Sequence, residues 1–132
     1  MKKKKIGQIG LIHGDPIFSN IFKTLDNTIK FIDPRAGELN NFSMHGDVFY
    51  DYAKVYQSLS GFEQIVNYQK TNDSFFLEKK SYFENCFINS FNEEKLKNLK
   101  FITSSLLISL IPLQHKKNSR KFMELSKKIL II

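Results

Sequence analysis

His13, Gly14 and Asp15 are followed by Asn20, five residues beyond the aspartate, and then by Asp33. These side chains suit phosphoryl transfer to a hydroxyl. One carboxylate, Asp15, would lie beside the attacking hydroxyl and orient or deprotonate it. A neutral oxygen ligand a few residues along the same loop, Asn20, would hold Mg²⁺ on the far side of the transferred phosphate. A second carboxylate, Asp33, would return to the same cation, and hard Mg²⁺ favours the oxygens that Asp and Asn supply. Each residue also has a plainer reading. His-Gly-Asp is a common turn tripeptide, Asn20 suits a turn, and Asp33 before Pro34 suits an Asx turn at a strand end.

The elements that must position these groups follow from local pattern. Gly10 to His13 reads as a short buried strand running into a Gly-Asp-Pro loop. Asn20–Lys23 and Thr28–Ile32 read as strands of a hairpin around Leu25-Asp26-Asn27. Pro34 stops the second strand, and a loop runs from Arg35 to Gly46. Asp47 is a good N-cap for a helix whose apolar face is Tyr52, Val55, Tyr56 and Leu59, ended by Ser60-Gly61. A second helix is expected over Ser74–Asn89, with Phe76, Phe83 and Phe87 on one face. A third opens at Asn92-Glu93-Glu94, carries Leu96, Leu99, Ile102, Leu106 and Leu110, and ends or kinks at Pro112. Ser119 would cap a last helix with Phe122, Leu125, Ile129 and Ile132 inward. A hairpin followed by helices predicts an α+β fold, mostly helical, with no doubly wound sheet. The 132 residues fit one domain: residues 6–61 carry the loop, hairpin and following helix, and 62–132 the helical remainder.

Composition narrows the partners. The hydrophobic fraction of 42%, with 13 Phe and 5 Tyr, is enough for a core. One cysteine, Cys86, excludes an internal disulfide and a multi-Cys zinc site, and its neighbours Phe83 and Phe87 suggest a buried thiol. The net charge of +7 is concentrated at the ends, in Lys2 to Lys5 and in Lys116, Lys117, Arg120, Lys121, Lys127 and Lys128. His13 to Asp51 is acidic, six acids against three bases, the reverse of a nucleic-acid groove, so no nucleic acid is expected. The basic start followed by Ile6-Gly7-Gln8-Ile9-Gly10 does not read as a secretory signal, and the apolar run Phe101 to Leu113 is shorter than the ~20 residues of a membrane span, so it reads as a buried helix. His45 and His115 are isolated and read as surface or packing residues. A reducing, cytoplasmic setting is expected.

Taken together, His13-Gly14-Asp15-x-x-x-Ser19-Asn20-Ile21, Ile32-Asp33-Pro34-Arg35 and Gly46-Asp47-x-x-Tyr50-Asp51-x-Ala53-Lys54 resemble the aminoglycoside phosphotransferase and choline kinase superfamily. The likeness is greatest to the phosphotransferase-like proteins of bacterial capsule and surface-polysaccharide gene clusters, which also carry Asp-Pro-Arg. It covers Gly10 to Gly61 and continues weakly through Ser109 to His115. The resemblance implies the helical C-terminal lobe of a protein kinase-like fold, with ATP and Mg²⁺ as cofactors. It implies that Asp15 is the catalytic aspartate, that Asn20 and Asp33 are Mg²⁺ ligands, and that His13 positions the loop and is not a base. Tyr50 and Asp51 would brace the site from behind, and Arg35 would brace Asp33 or face the substrate.

A kinase of this type also needs a lobe with a phosphate-covering loop and a strand lysine. The sequence begins fourteen residues before Asp15, so that N-terminal lobe is expected to be absent. Two readings follow. One is a truncated enzyme, or half of a split one, that phosphorylates a hydroxyl of a small molecule such as a sugar or surface-polysaccharide precursor, with a separate N-lobe chain as partner. The other is a non-catalytic remnant or interaction module, with an apolar upper face that pairs with itself or another chain. The acceptor is open: Glu63, Asp73, Glu78 and Glu84 are too scattered for a polycation pocket, and Phe75, Phe76, Tyr82 and Phe83 suit core packing as well as a choline cage.

Overall fold

The computed structural model describes residues 7–35, 44–67, 73–113 and 116–131. The Lys2 to Lys5 run, most of the expected Arg35–Gly46 loop, His115 and Ile132 lie outside these. The fold is α+β and mostly helical, with a few short antiparallel strands. The chain forms two compact units, Met1–Val55 and Tyr56–Ile132, the division falling inside one helix.

In the first unit, β1 (Ile9–Leu11) pairs antiparallel with β4 (His45–Asp47), Gly10 opposite Gly46. The expected buried strand is therefore real but not buried. Ile9 and Leu11 are exposed, because side-chain alternation puts both on the same side of a two-stranded ladder. β4 was not expected, since His-Gly-Asp has little strand propensity and only its pairing with β1 makes it a strand. The hairpin is as expected: β2 (Ile21–Lys23) pairs with β3 (Ile29–Phe31), Phe22 opposite Lys30. Its turn is closed by Asn27 N–H to the Thr24 carbonyl at 3.0 Å and Thr24 N–H to the Thr28 carbonyl at 2.9 Å. Asn27 takes φ 62°, a left-handed conformation that asparagine tolerates better than most residues. Hydrogen bonds from Thr24 and Thr28 hold the Asp26 carboxyl below its ordinary pKa.

Helix α1 (Val48–Leu59) begins directly after β4. Asp47 accepts Phe49 N–H at 3.0 Å through Oδ1, the expected capping role, and also Gln8 N–H at 3.1 Å. Gly61, at φ 107°, turns the chain after α1 into a short α2 (Phe62–Val66), which the sequence did not reveal.

The second unit is helical. α3 (Asp73–Ser90) and α4 (Glu93–Leu110) match the expected helices within a residue or so, and Asn92 caps α4 by accepting Lys95 N–H at 2.8 Å. A 3₁₀ turn at Ile111–Leu113 follows, where Pro112 was expected to end the helix, and α5 (Lys116–Leu130) packs along α4. The core is Tyr56, Leu59, Phe87, Leu96, Leu99, Leu107, Phe122 and Ile129.

The buried stripe of α4 is not the one the leucines suggest. Thr103 and Ser104 are buried, whereas Ile102, Leu106 and Leu110 are half-exposed. The hydroxyls are tolerated because both are paired: Thr103 donates to the Leu99 carbonyl at 2.9 Å, and Ser104 meets Ser126 of α5 at 2.6 Å. α5 starts upstream of Ser119, which lies inside the helix and does not cap it. Cys86 is exposed, one helical position away from the buried face marked by Phe87. The segment Phe101 to Leu113 belongs to a longer stretch, Glu93–Leu113, that is long and apolar enough by length and composition to cross a membrane, with a third of it buried. The shortness argued from the sequence therefore does not hold for the whole helix.

Candidate active site

All of the site residues expected from the sequence lie in the first unit. Asp15 is buried at the end of a loop whose turn is made by Gly14 at φ 87°, a conformation open to glycine and strained for other residues. Asp51, in the first turn of α1, holds this loop. Its Oδ2 accepts His13 N–H at 2.6 Å and its Oδ1 accepts Gly14 N–H at 2.9 Å. A carboxylate receiving two consecutive backbone amides is a charge-assisted clamp, roughly twice as strong as neutral pairs. Asp51 thus braces the loop from behind.

His13 points inward. Its Nδ1 accepts Asp15 N–H at 3.3 Å, its ring leans on Phe31 with centroids 5.7 Å apart, and its buried Nε2 has no hydrogen-bond partner. These contacts fix the loop and do not aim the imidazole at the Asp15 carboxylate.

Asn20 sits at the end of a 3₁₀ turn, Phe18–Asn20, and its Nδ2 donates to the Asp15 backbone carbonyl at 2.9 Å. With its nitrogen fixed there, the amide oxygen is turned away from that carbonyl. The Asp33 segment is attached on both sides: Ile32 N–H donates to the Asn20 carbonyl at 3.0 Å, and Arg35 N–H donates to the His13 carbonyl at 2.8 Å. Asp33 between them takes φ 54°, although a residue before proline and with a Cβ disfavours this region. Such backbone strain, of order 1–3 kcal/mol, persists only where neighbours enforce it. The two flanking hydrogen bonds do so.

Arg35 joins the two carboxylates. Its Nε lies 3.7 Å from Asp15 Oδ2 and its Nη2 is 3.3 Å from Asp33 Oδ2. Asp15, Asn20 and Asp33 are therefore gathered around one loop. Asp15 and Asn20 are joined directly, and Asp33 reaches Asp15 through the guanidinium. Arg35 was expected to brace Asp33 or to face the substrate. Its guanidinium pairs with Asp33, and its side chain is 67% exposed.

One residue carried no assigned role in the sequence reading. Lys54 Nζ lies 3.1 Å from Asp15 Oδ1, with both side chains nearly buried (13% and 11% exposed), and 5.7 Å from the centroid of the Tyr50 ring. The signal was present in the helical spacing: Tyr50, Asp51 and Lys54 fall at i, i+1 and i+4, so Tyr50 and Lys54 share a face. Sequence alone did not say that this face meets Asp15.

The chain matches no family model, no curated protein and no solved structure. What the site can do rests on its geometry and on the chemistry of its residues. Among the described residues no group of three or more His, Cys, Asp or Glu side chains forms a metal cage. The oxygens at hand are the Asn20 amide and the Asp33 carboxylate, a sparse hard set. Asp33 Oδ2 is paired with Arg35, so of the common cations only one like Mg²⁺, which keeps several waters and takes one or two carboxylates together with substrate phosphates, suits so few protein oxygens. The set does not fit a site in which protein side chains alone complete the shell.

Proposed function

We propose that this chain carries the catalytic loop of an ATP- and Mg²⁺-dependent phosphotransferase that acts on a hydroxyl of a small molecule, such as a sugar or surface-polysaccharide precursor, in the cytoplasm. The observation that supports it most is the way one loop organises Asp15, Asn20 and Asp33. Asp51 clamps the loop amides, Asn20 is tied to the Asp15 carbonyl, and the strained Asp33 is held between Asn20 and His13. Strained backbone enforced by neighbours is characteristic of functional sites. Asp15 would accept the proton of the attacking hydroxyl, or its hydrogen bond. Lys54 and Arg35 keep the carboxylate oriented from two sides. Asn20 and Asp33 would hold Mg²⁺, which when bound neutralises phosphate charge.

The test is release of ADP from ATP and Mg²⁺ with a panel of neutral sugars, sugar phosphates, choline and an aminoglycoside, adding any separate chain that supplies a phosphate-covering loop. Asp15→Asn and Asp33→Asn are expected to abolish turnover while leaving the circular dichroism spectrum unchanged. Turnover that survives Asp15→Asn would overturn the assignment.

A specific observation also favours the reading as an interaction module. The first unit exposes a run of large apolar side chains, with Ile9 70% and Leu11 68% exposed and Phe31 and Met44 about half-exposed. Leu11, Phe31 and Met44 line one recess, and apolar surface gathered in this way marks contact sites. Under this reading Leu11→Glu lowers self-association in sedimentation and nucleotide has no effect on melting temperature.

A further inference from the structure

The second unit contains a cavity that the proposed chemistry does not use. It has a volume of about 360 Å³ and lies where the end of α1, the first half of α3 and the end of α5 come together. Its apolar wall includes Leu59 and Ile129, both buried, with Phe76 and Leu125 beside them. Lys80 and Lys128 are also among its lining residues.

The charge of these lysines is unbalanced. The acid that acts on Lys80, Glu84, is already engaged: Lys100 lies 3.2 Å from its Oε1, and the Tyr56 hydroxyl donates to the same oxygen. Lys80 instead rests over the Tyr56 ring, 5.0 Å from its centroid. Neither Lys80 nor Lys128 has a carboxylate partner among the described residues. Burial lowers the proton affinity of Lys80, the neighbouring Glu84 opposes this, and Lys100 and Lys128 add to it. An anion between the two lysines would relieve their repulsion.

We propose that this cavity binds a small amphipathic anion, a medium-chain aliphatic carboxylate, with the chain against Leu59 and Ile129 and the head group between Lys80 and Lys128. The volume lies in the range of small-ligand sites, which are mostly apolar with a few polar groups fixing orientation. The source is a free acid and not a bilayer, because the apolar side chains and both lysines line one recess. This site does not depend on the phosphotransferase reading.

The probe is decanoate, titrated into the full chain and followed by calorimetry and by the methyl resonances of Leu125 and Ile129, with decanol as the uncharged control. Saturable one-to-one binding is expected, with decanol about tenfold weaker. Lys80→Gln and Lys128→Gln should each weaken decanoate by about fivefold, the scale of a partly exposed ion pair, and leave decanol unchanged. Lys128 is exposed, so Lys128→Gln keeps the test valid if Lys80→Gln fails to fold. Equal affinity for decanoate and decanol, the absence of methyl shifts, or association with phosphatidylglycerol vesicles but not with decanoate would each overturn the proposal.

Discussion

Asp51 and Lys54 illustrate how much a single helical turn contributes to the loop. Asp51 accepts two adjacent amides, so Asp51→Ala leaves both donors without their partner. Loss of this clamp is expected to lower stability by about 2–4 kcal/mol, measured by urea unfolding. Lys54→Met removes the closest cation from a nearly buried carboxylate. Breaking a buried pair at one end usually costs about 3–5 kcal/mol. Arg35 still faces Asp15 at 3.7 Å from the solvent side, so about 2–3 kcal/mol is expected here, with Lys54→Arg restoring part of it. A Lys54→Met protein as stable as the parent would show that Arg35 alone balances Asp15. In the second unit Tyr56 is buried and donates to Glu84, and both burial and the adjacent carboxylate raise its pKa far above the ordinary phenol value. The folded state therefore keeps the Tyr56 proton at pH values where the unfolded chain loses it. The unfolded state then binds fewer protons, and stability falls as pH rises above about 10. Tyr56→Phe should remove Tyr56's share of that alkaline decline, read from urea unfolding at about pH 8 and about pH 11.

At the scale of elements, α4 rests on hydroxyls as much as on leucines. Asn92→Ala removes the α4 cap and should lower stability by about 1 kcal/mol, read from the melting temperature. Ser104→Ala leaves Ser126 buried without its partner, at a cost of about 1–3 kcal/mol. The double change Ser104→Ala/Ser126→Ala should cost less than the two single changes together, because no orphaned hydroxyl remains. Strict additivity would show that water or another group satisfies the lone serine. This element also shows why periodicity was only partly legible. The existence, type and approximate limits of α1, α3 and α4 follow from apolar spacing and breakers such as Ser60-Gly61, Asn92 and Pro112. α4 turns Thr103 and Ser104 inward, and the Ser104–Ser126 contact joins residues 22 apart in the chain, which no local pattern encodes.

For the whole molecule, charge and apolar surface are distributed unevenly. The central sequence is slightly acidic and the ends are basic, while the first unit exposes Ile9, Leu11 and Phe31 on short strands. Concentration-dependent sedimentation of the full chain, reduced by Leu11→Glu, would assign that apolar surface to contact with another chain. A monomer at all concentrations would leave it as ordinary exposed surface. The unexpected exposure of Ile9 and Leu11 has a simple cause: three-residue strands in two-stranded ladders have two faces, and a run of apolar residues does not say which of them is covered.

The sequence by itself determined the hairpin around Asp26-Asn27, the principal helices, the α+β class and the loop that carries Asp15, Asn20 and Asp33. Those follow from turn chemistry, breakers and short-range spacing, which act over a few residues. Tertiary structure alone decided that Asp51 holds the amides of His13 and Gly14, that Lys54 meets Asp15, and that Arg35 spans Asp15 and Asp33. It also decided that His45–Asp47 is a strand and that Cys86 faces outward. These depend on groups far apart in the chain, or on the burial of one helix face over another. Both are set by packing and not by the preferences of neighbouring residues.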